Sequence, residues 1–204
     1  MASKEKEELM DSQTFQTESF DTPTGRMLLL TDEQGVVHVL DWEDHHERSQ
    51  RLLGRYYRRV TLALREASKE STAKRALLAY FSGRLDAIEG LRVASSGSEF
   101  QNQVWTALRQ IPTGKTLSYG ALAKKIGRPA AVRAVGLANG SNPIAIIVPC
   151  HRVIGANASL TGYAGGLERK RWLLQHEASA ERQKVAIAPR PSPPRANPTT
   201  PTRT

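Results

Sequence analysis

The chain has 204 residues, 29 basic and 20 acidic, with a net charge of +9. That length suits one domain with a substantial core, or two small ones. No stretch approaches the ~18 uninterrupted apolar residues of a membrane helix, and the lone cysteine, Cys150, excludes an internal disulfide or a multi-cysteine zinc site.

MASKEKEELMDS at the N-terminus has no apolar signal-peptide core. With an unpaired thiol, this predicts a reducing, cytoplasmic location and no membrane partner. The segment 178–204 carries five basic residues and one acidic residue, and the body stays basic without it. Such a balance suits nucleic acid without requiring it.

Residues 1–14 are charged and aperiodic, as in a flexible leader. Three strand-like runs follow: FQTESFDT before Pro23 and Gly25, RMLLLTD before the turn EQG, and VVHVLDW before EDHH. Short runs joined by tight turns predict a three-stranded antiparallel meander. HERSQRLLGRYYRR and TAKRALLAYFSGRLD show apolar residues at helical spacing, the second ending at Gly83. Strands followed by helices predict an α+β domain over 15–92.

After the Ser- and Gly-rich break RVASSGSEF, a mostly helical domain is expected over 93–178. SEFQNQVWTALRQIPTG has Ser98 as N-cap and Phe100, Val104, Trp105, Leu108 and Ile111 as its apolar face. SYGALAKKIG-RP-AAVRAVGLANG reads as helix, tight turn, helix. Ser118 caps the first helix, Gly127 suits the left-handed position after it, and Pro129 suits the first turn of the next. Ala131, Val135 and Ala138 face inward, so Arg133 points out. Residues 179–204, with six of the eleven prolines, are expected to form a disordered basic tail.

An outward arginine is ordinary on a helical hairpin. Its surroundings are not. A helix that reads the major groove carries several long polar side chains, whereas this one carries alanine, valine and glycine. Small residues allow the close approach that a minor groove demands, and a lone arginine can fill the space of an extruded nucleotide. The residues alone leave both readings open.

NPIAIIV reads as a buried extended segment, and Pro149 stiffens the approach to Cys150. An unpaired cysteine is often a packing residue. As a thiolate it is also a nucleophile, with a nearby imidazole as its base. Consecutive side chains on extended chain point apart, so His151 reaches the thiol only through a turn or a bridging water. An oriented imidazole needs a carboxylate. Glu177 in RKRWLLQHE shares a face with Leu173 and Leu174, although a glutamate near a helix C-terminus can also be simply solvated.

PCHRVIG, TGYAGG and WLLQHE, with SYGALA and RAVGLANGSNPI upstream, closely resemble the O6-alkylguanine-DNA alkyltransferases (methylated-DNA–protein-cysteine methyltransferases), nearest the constitutive bacterial Ogt type. The likeness is dense from Ser98 to Glu177 and looser over Phe15 to Gly90. It implies a ribonuclease H-like N-terminal domain and a winged helix-turn-helix-like C-terminal domain. It implies single-turnover, irreversible transfer of the alkyl group of a flipped O6-alkylguanine, and also of O4-alkylthymine, to Cys150. The partner would be double-stranded DNA containing O6-alkylguanine, met by a monomer, with cooperativity on DNA left open. No cofactor and no metal are implied.

By the same resemblance, His151 is the water-linked base, Glu177 orients it, and Asn142 braces the turn. Tyr119 protonates the leaving guanine and crowds a phosphate. Arg133 is the intercalating finger, and Ser118 and Ala134 face DNA. Tyr163 flanks the flipped base, and carbonyls near Val148 and Cys150 accept from its exocyclic amine. Two departures stand out. Ala164 replaces a serine that many relatives use at O6, so only its backbone N–H can serve. Val132 replaces an alanine before the finger. The alternatives are a non-catalytic lesion binder, which would lack the acceptor cysteine, and a Cys-His thiol hydrolase, which would turn over.

Overall fold

The apolar runs near the N-terminus fold as β1 (Ser12–Phe20), β2 (Met27–Thr31) and β3 (Val37–Trp42), paired antiparallel in that order. The computed structural model describes residues 12–187 except 59 and 95, with the backbone alone for 181–187. Residues 12–14 thus belong to the sheet rather than to the leader, whose remainder lies outside the described residues. All of β3 is buried, because both faces of the sheet are covered. Met27, Leu29, Val37, Leu40 and Trp42 enter the main core, while Phe15, Leu30 and Val39 meet Leu53 in a smaller cluster.

The sheet has a fourth strand, which corrects the three-stranded expectation. After α1 (His46–Tyr56) crosses one face, β4 (Thr61–Glu66) pairs parallel with β1, Ser12 opposite Thr61 and Thr17 opposite Glu66. The order is β3-β2-β1-β4. TLALRE escapes a pattern reading because it is an edge strand with little to bury, and Leu64 is 55% exposed. α2 (Thr72–Phe81) follows, capped by the Ser71 side chain accepting from the Lys74 N–H.

In the second half, α3 (Glu99–Arg109) opens on a reciprocal cap. Ser98 accepts from the Gln101 N–H, and the Gln101 side chain accepts from the Ser98 N–H. β5 (Leu117–Ser118) leads into α4 (Tyr119–Lys125), capped by Ser118. Gly127, at φ 71°, ends α4: its N–H reaches the Lys124 carbonyl and the Arg128 N–H reaches that of Ala123. α5 (Val132–Gly140) starts later than expected. Pro129 lies in the connecting turn, which the Ala131 N–H closes onto the Arg128 carbonyl. β6 (Val153–Ile154) pairs parallel with β5, and α6 (Leu167–Ile187) ends the described chain. α6 runs past the boundary expected at 178, so 179–187 are helix rather than tail; 188–204 lie outside the described residues.

The two halves share one core. It joins Leu29, Leu40, Leu77 and Tyr80 to Val104, Leu108, Leu122, Val135 and Leu173. β3 also lends its outer edge to the second half. The Leu40 N–H reaches the Pro143 carbonyl at 3.0 Å, and the Ala145 N–H reaches the Leu40 carbonyl at 2.8 Å. A sheet edge is thereby closed, and the chain just before Cys150 is stitched to the N-terminal sheet. Trp42 extends the contact by packing edge-on against Tyr163, ring centroids 6.0 Å apart. At Gly165 a Cβ would stand 2.5 Å from the Trp42 ring, so only glycine fits.

Removing the cap with Ser98→Ala is expected to lower stability by about 1 kcal/mol. Urea unfolding measures it. An unchanged midpoint would mean that the reciprocal bonds contribute nothing net.

Candidate active site

The segment before Cys150 is buried, as expected, but it is not extended. Ile146 takes φ 67°, and the Ile147 N–H reaches back to the Ala145 carbonyl at 2.7 Å, a tight γ-turn of the strained hand. A second reversal at Pro149 brings the Cys150 N–H 2.8 Å from the Val148 carbonyl. Cys150–Arg152 then form a single 3₁₀ turn.

Asn142, 2% exposed, holds this path. Its carbonyl accepts from the Ile144 N–H at 3.0 Å. Its amide donates to the carbonyls of Val148 at 2.8 Å and Ile144 at 3.2 Å, and to Cys150 Sγ at 3.1 Å. Burial pushes the Cys150 thiol pKa up. The Asn142 hydrogen bond and the Arg48 charge offset part of that rise.

His151 is fully buried, and its Nε2 lies 2.9 Å from Glu177 Oε1. Glu177 is equally buried and gathers further donors. Arg152 reaches it through Nε and Nη2 at 2.8 to 3.2 Å, the Tyr80 hydroxyl at 2.9 Å and the Gly114 N–H at 3.0 Å. Burial opposes ionisation of Glu177, but the bonds and charges of His151 and Arg152 outweigh it and hold the carboxyl far below its ordinary range. Burial also lowers the His151 pKa, aided by Arg152 and Lys170 and opposed by Glu177. A neutral imidazole beside an ionised carboxylate donates from Nε2 and keeps its lone pair on Nδ1. That Nδ1 is buried with no hydrogen-bond partner.

Beyond the thiol, α4, α5 and the 161–164 loop enclose a cleft of about 850 Å³. Tyr119, Asn139, Tyr163 and Ala164 line it, with Val132 and Arg133 at its rim. Asn139 links cleft and thiol segment, donating to the Cys150 carbonyl at 3.4 Å. The Tyr119 hydroxyl donates to the Gly162 carbonyl at 3.4 Å, while that of Tyr163 is buried and unpartnered. Burial first, then the proximity of Cys150, raises both tyrosine pKa values. Arg133 and Ala134 are exposed on α5, as their spacing predicts, and Ser118 stays partly buried as the α4 cap.

Val148 differs. It is buried and lines a separate cavity with Val93, Trp105 and Asn142 rather than the Tyr119–Tyr163 cleft. Its carbonyl already accepts from Asn142 and from the Cys150 N–H, and the Cys150 carbonyl accepts from Asn139 and the Val153 N–H. Two bonds use both lone pairs of a carbonyl. Val148 thus stands apart from the Tyr119–Tyr163 cleft, and both carbonyls are engaged within the turn itself.

The sequence reading also missed residues. Arg152 stands inside PCHRVIG, and nothing local to that motif marks it as a partner of Glu177. Tyr80 reads as one more apolar position of its helix. Lys170 is fully buried, donates to the Val153 and Thr161 carbonyls, and has its pKa lowered by burial. Its i+7 spacing to Glu177 on one helix face was the available signal.

Both buried groups make stability fall with acid. Glu177 is ionised when folded, so its contribution is present above its ordinary pKa near 4.5 and is lost as pH falls below it. His151 is held neutral, so its contribution declines below about 6.5. Glu177→Gln should remove the lower stage and, by leaving Arg152 buried without its anion, cost about 3–5 kcal/mol at neutral pH. Urea unfolding from pH 7.5 to 2.5 reads both effects; an unchanged acid limb in the variant would clear Glu177 of that role.

Residues 99–179 match the family described as 6-O-methylguanine DNA methyltransferase, DNA binding domain. The methylated-DNA–protein-cysteine methyltransferase of Salmonella typhimurium is 48% identical over 160 residues, covering 78% of this chain and 94% of that protein. The protein of that name from Methanosarcina acetivorans is 45% identical over 172 residues, covering 78% and 96%. Among solved structures, Mycobacterium tuberculosis OGT in complex with DNA superposes with a TM-score of 0.64 at 43% identity, covering 82% of this chain and 94% of that one.

Proposed function

Because the chain belongs to the methylated-DNA–protein-cysteine methyltransferases, we propose that it repairs DNA by direct reversal, taking the alkyl group of O6-alkylguanine, and also of O4-alkylthymine, onto Cys150. The observation that carries the reading is a lone thiol backed by a neutral histidine and an ionised glutamate, beside a cleft whose rim bears an outward arginine on a helix of small residues.

The reaction is an in-line displacement at an sp3 carbon. The Cys150 sulfur bonds the alkyl carbon as the carbon–O6 bond breaks, and the electron pair leaves with guanine. The resting thiol is protonated, so attack needs a base. His151 Nδ1 takes the proton through one water, and Glu177 steadies the imidazolium that forms. Tyr119, kept protonated by its raised pKa, donates to the departing purine. Tyr163 and Ala164 form the wall against the flipped base, the latter through its backbone N–H. Asn142 positions the sulfur. The product is a thioether, which nothing in the site can cleave, so each chain acts once.

Arg133 fills the space of the extruded nucleotide while Ser118, Tyr119, Val132 and Ala134 face the minor groove. The partner is duplex DNA met by a monomer, and the compartment is the cytoplasm. Among the described residues no helix is long and apolar enough to cross a membrane. The order β3-β2-β1-β4, with β4 parallel to β1, supports a ribonuclease H-like N-terminal domain. The β5–β6 ribbon beside α4 supports a winged variant of the helix-turn-helix.

Incubation with a duplex bearing radiolabelled O6-methylguanine is expected to label Cys150, with at most one methyl per chain. Multiple turnover, or label retained by Cys150→Ser, would sink the mechanism. Arg133→Ala should slow repair of duplex DNA far more than reaction with the free base O6-benzylguanine. Equal losses on both substrates would remove Arg133 from base flipping.

A further inference from the structure

α5 is flanked by two grooves. One is the cleft toward Tyr119 and Tyr163. The other, about 750 Å³, runs between α5 and α1 of the N-terminal half, and Gly136, Leu137 and Gly140 border both. The α1 wall consists of Arg48, Arg51, Leu52 and Arg55, and no aspartate or glutamate lines the groove. Arginines at i, i+3 and i+7 share one helix face. They are not equivalent. Arg48 is committed to the fold: it pairs with the buried Asp41 and donates to the Gly140 and Asn142 carbonyls, each at 2.9 Å. Tyr56 adds a bond from its hydroxyl to the Ser141 carbonyl at 2.9 Å. Together they fasten α1 to the C-terminal end of α5. Arg51 and Arg55 are exposed beyond that anchor and make no ion pair among the described residues.

We propose that Arg51 and Arg55 of α1 bind the DNA phosphate backbone, so that the N-terminal half supplies part of the DNA-binding surface. The inference rests on the reading of α5 as the DNA-facing helix. A helix about 10–12 Å across cannot sink into a minor groove roughly 6 Å wide. It seats its small-residue ridge at the mouth, and the two phosphate ridges pass on either side. One ridge crosses the Tyr119 side. The other crosses the α1 side, where two cations are held in place by an anchored helix. Contacts of this kind fix orientation and carry no sequence information.

The test is duplex binding across a salt series. Each phosphate contact contributes about −0.9 to the slope of log affinity against log salt. Arg51→Gln/Arg55→Gln should therefore flatten the slope by about 2 units and weaken binding at low salt. Its reaction with free O6-benzylguanine should stay at the wild-type rate, since the base alone meets no phosphate. Arg75→Gln/Arg84→Gln, outside both grooves, removes equal charge and should leave the slope unchanged. A wild-type slope in the α1 variant, or equal flattening in the control, would overturn the proposal. Failure of the wild-type protein to bind duplex at all would instead strike the reading of α5. A loss of free-base reactivity in the α1 variant would show damage to the fold rather than to a DNA contact, and would equally count against the proposal.

Discussion

The Glu177 carboxylate is the point on which the site converges. It is fully buried, and an isolated carboxylate in such a place is prohibitively unfavourable. Here its oxygens accept from His151, Arg152, Tyr80 and Gly114. These donors come from three separate stretches of chain, and α6 supplies the acceptor. One anion thus sets the histidine tautomer, fixes the arginine beneath the reactive turn and ties α2 of the N-terminal half to the C-terminal helix. A buried ion pair of this kind is weak evidence of net stability. Its geometric role is better founded, since each donor is satisfied only in one arrangement.

A second constraint acts from the other side of the thiol. The route from Asn142 to Cys150 is irregular, and an isoleucine at positive φ is a genuinely strained choice. Such a path persists only where its surroundings over-determine it. Asn142 binds it from within, and Leu40 of β3 pairs with it from outside. The N-terminal sheet is therefore a wall of the reactive turn rather than an appended domain. The continuity of the core across both halves says the same.

What the sequence revealed follows from range. Ser98, Ser118 and Gly127 act on their own neighbours within a turn, and their roles were readable from spacing. The direction of Arg133 was readable for the same reason. β4 was not: Val60, Leu62 and Leu64 alternate, but Ala63 lies between them and the run is short, so the pattern does not separate strand from helix. Glu177 is ambiguous in sequence because RKRWLLQHE by itself shows no continuation of its helix; α6 continues to Ile187 and makes it a mid-helix residue with Lys170, Leu173 and Ala180 on the buried face. Arg152 and Tyr80 depend on partners far along the chain, and no local pattern encodes such a meeting. The Val148 and Cys150 carbonyls show the converse limit: the bonds a carbonyl already makes are a property of the folded turn, which no motif displays.

The burial of Cys150 has a last consequence, which concerns waiting rather than reacting. A thiol of raised pKa, buried and bonded by the Asn142 amide, is a poor target for peroxide or for electrophiles that the neighbouring cleft does not hold in place, since these consume thiolate at accessible sites. A reagent that can be used only once has to survive intact until the right lesion arrives. The desolvation that makes this sulfur slow by itself is what gives it a long shelf life.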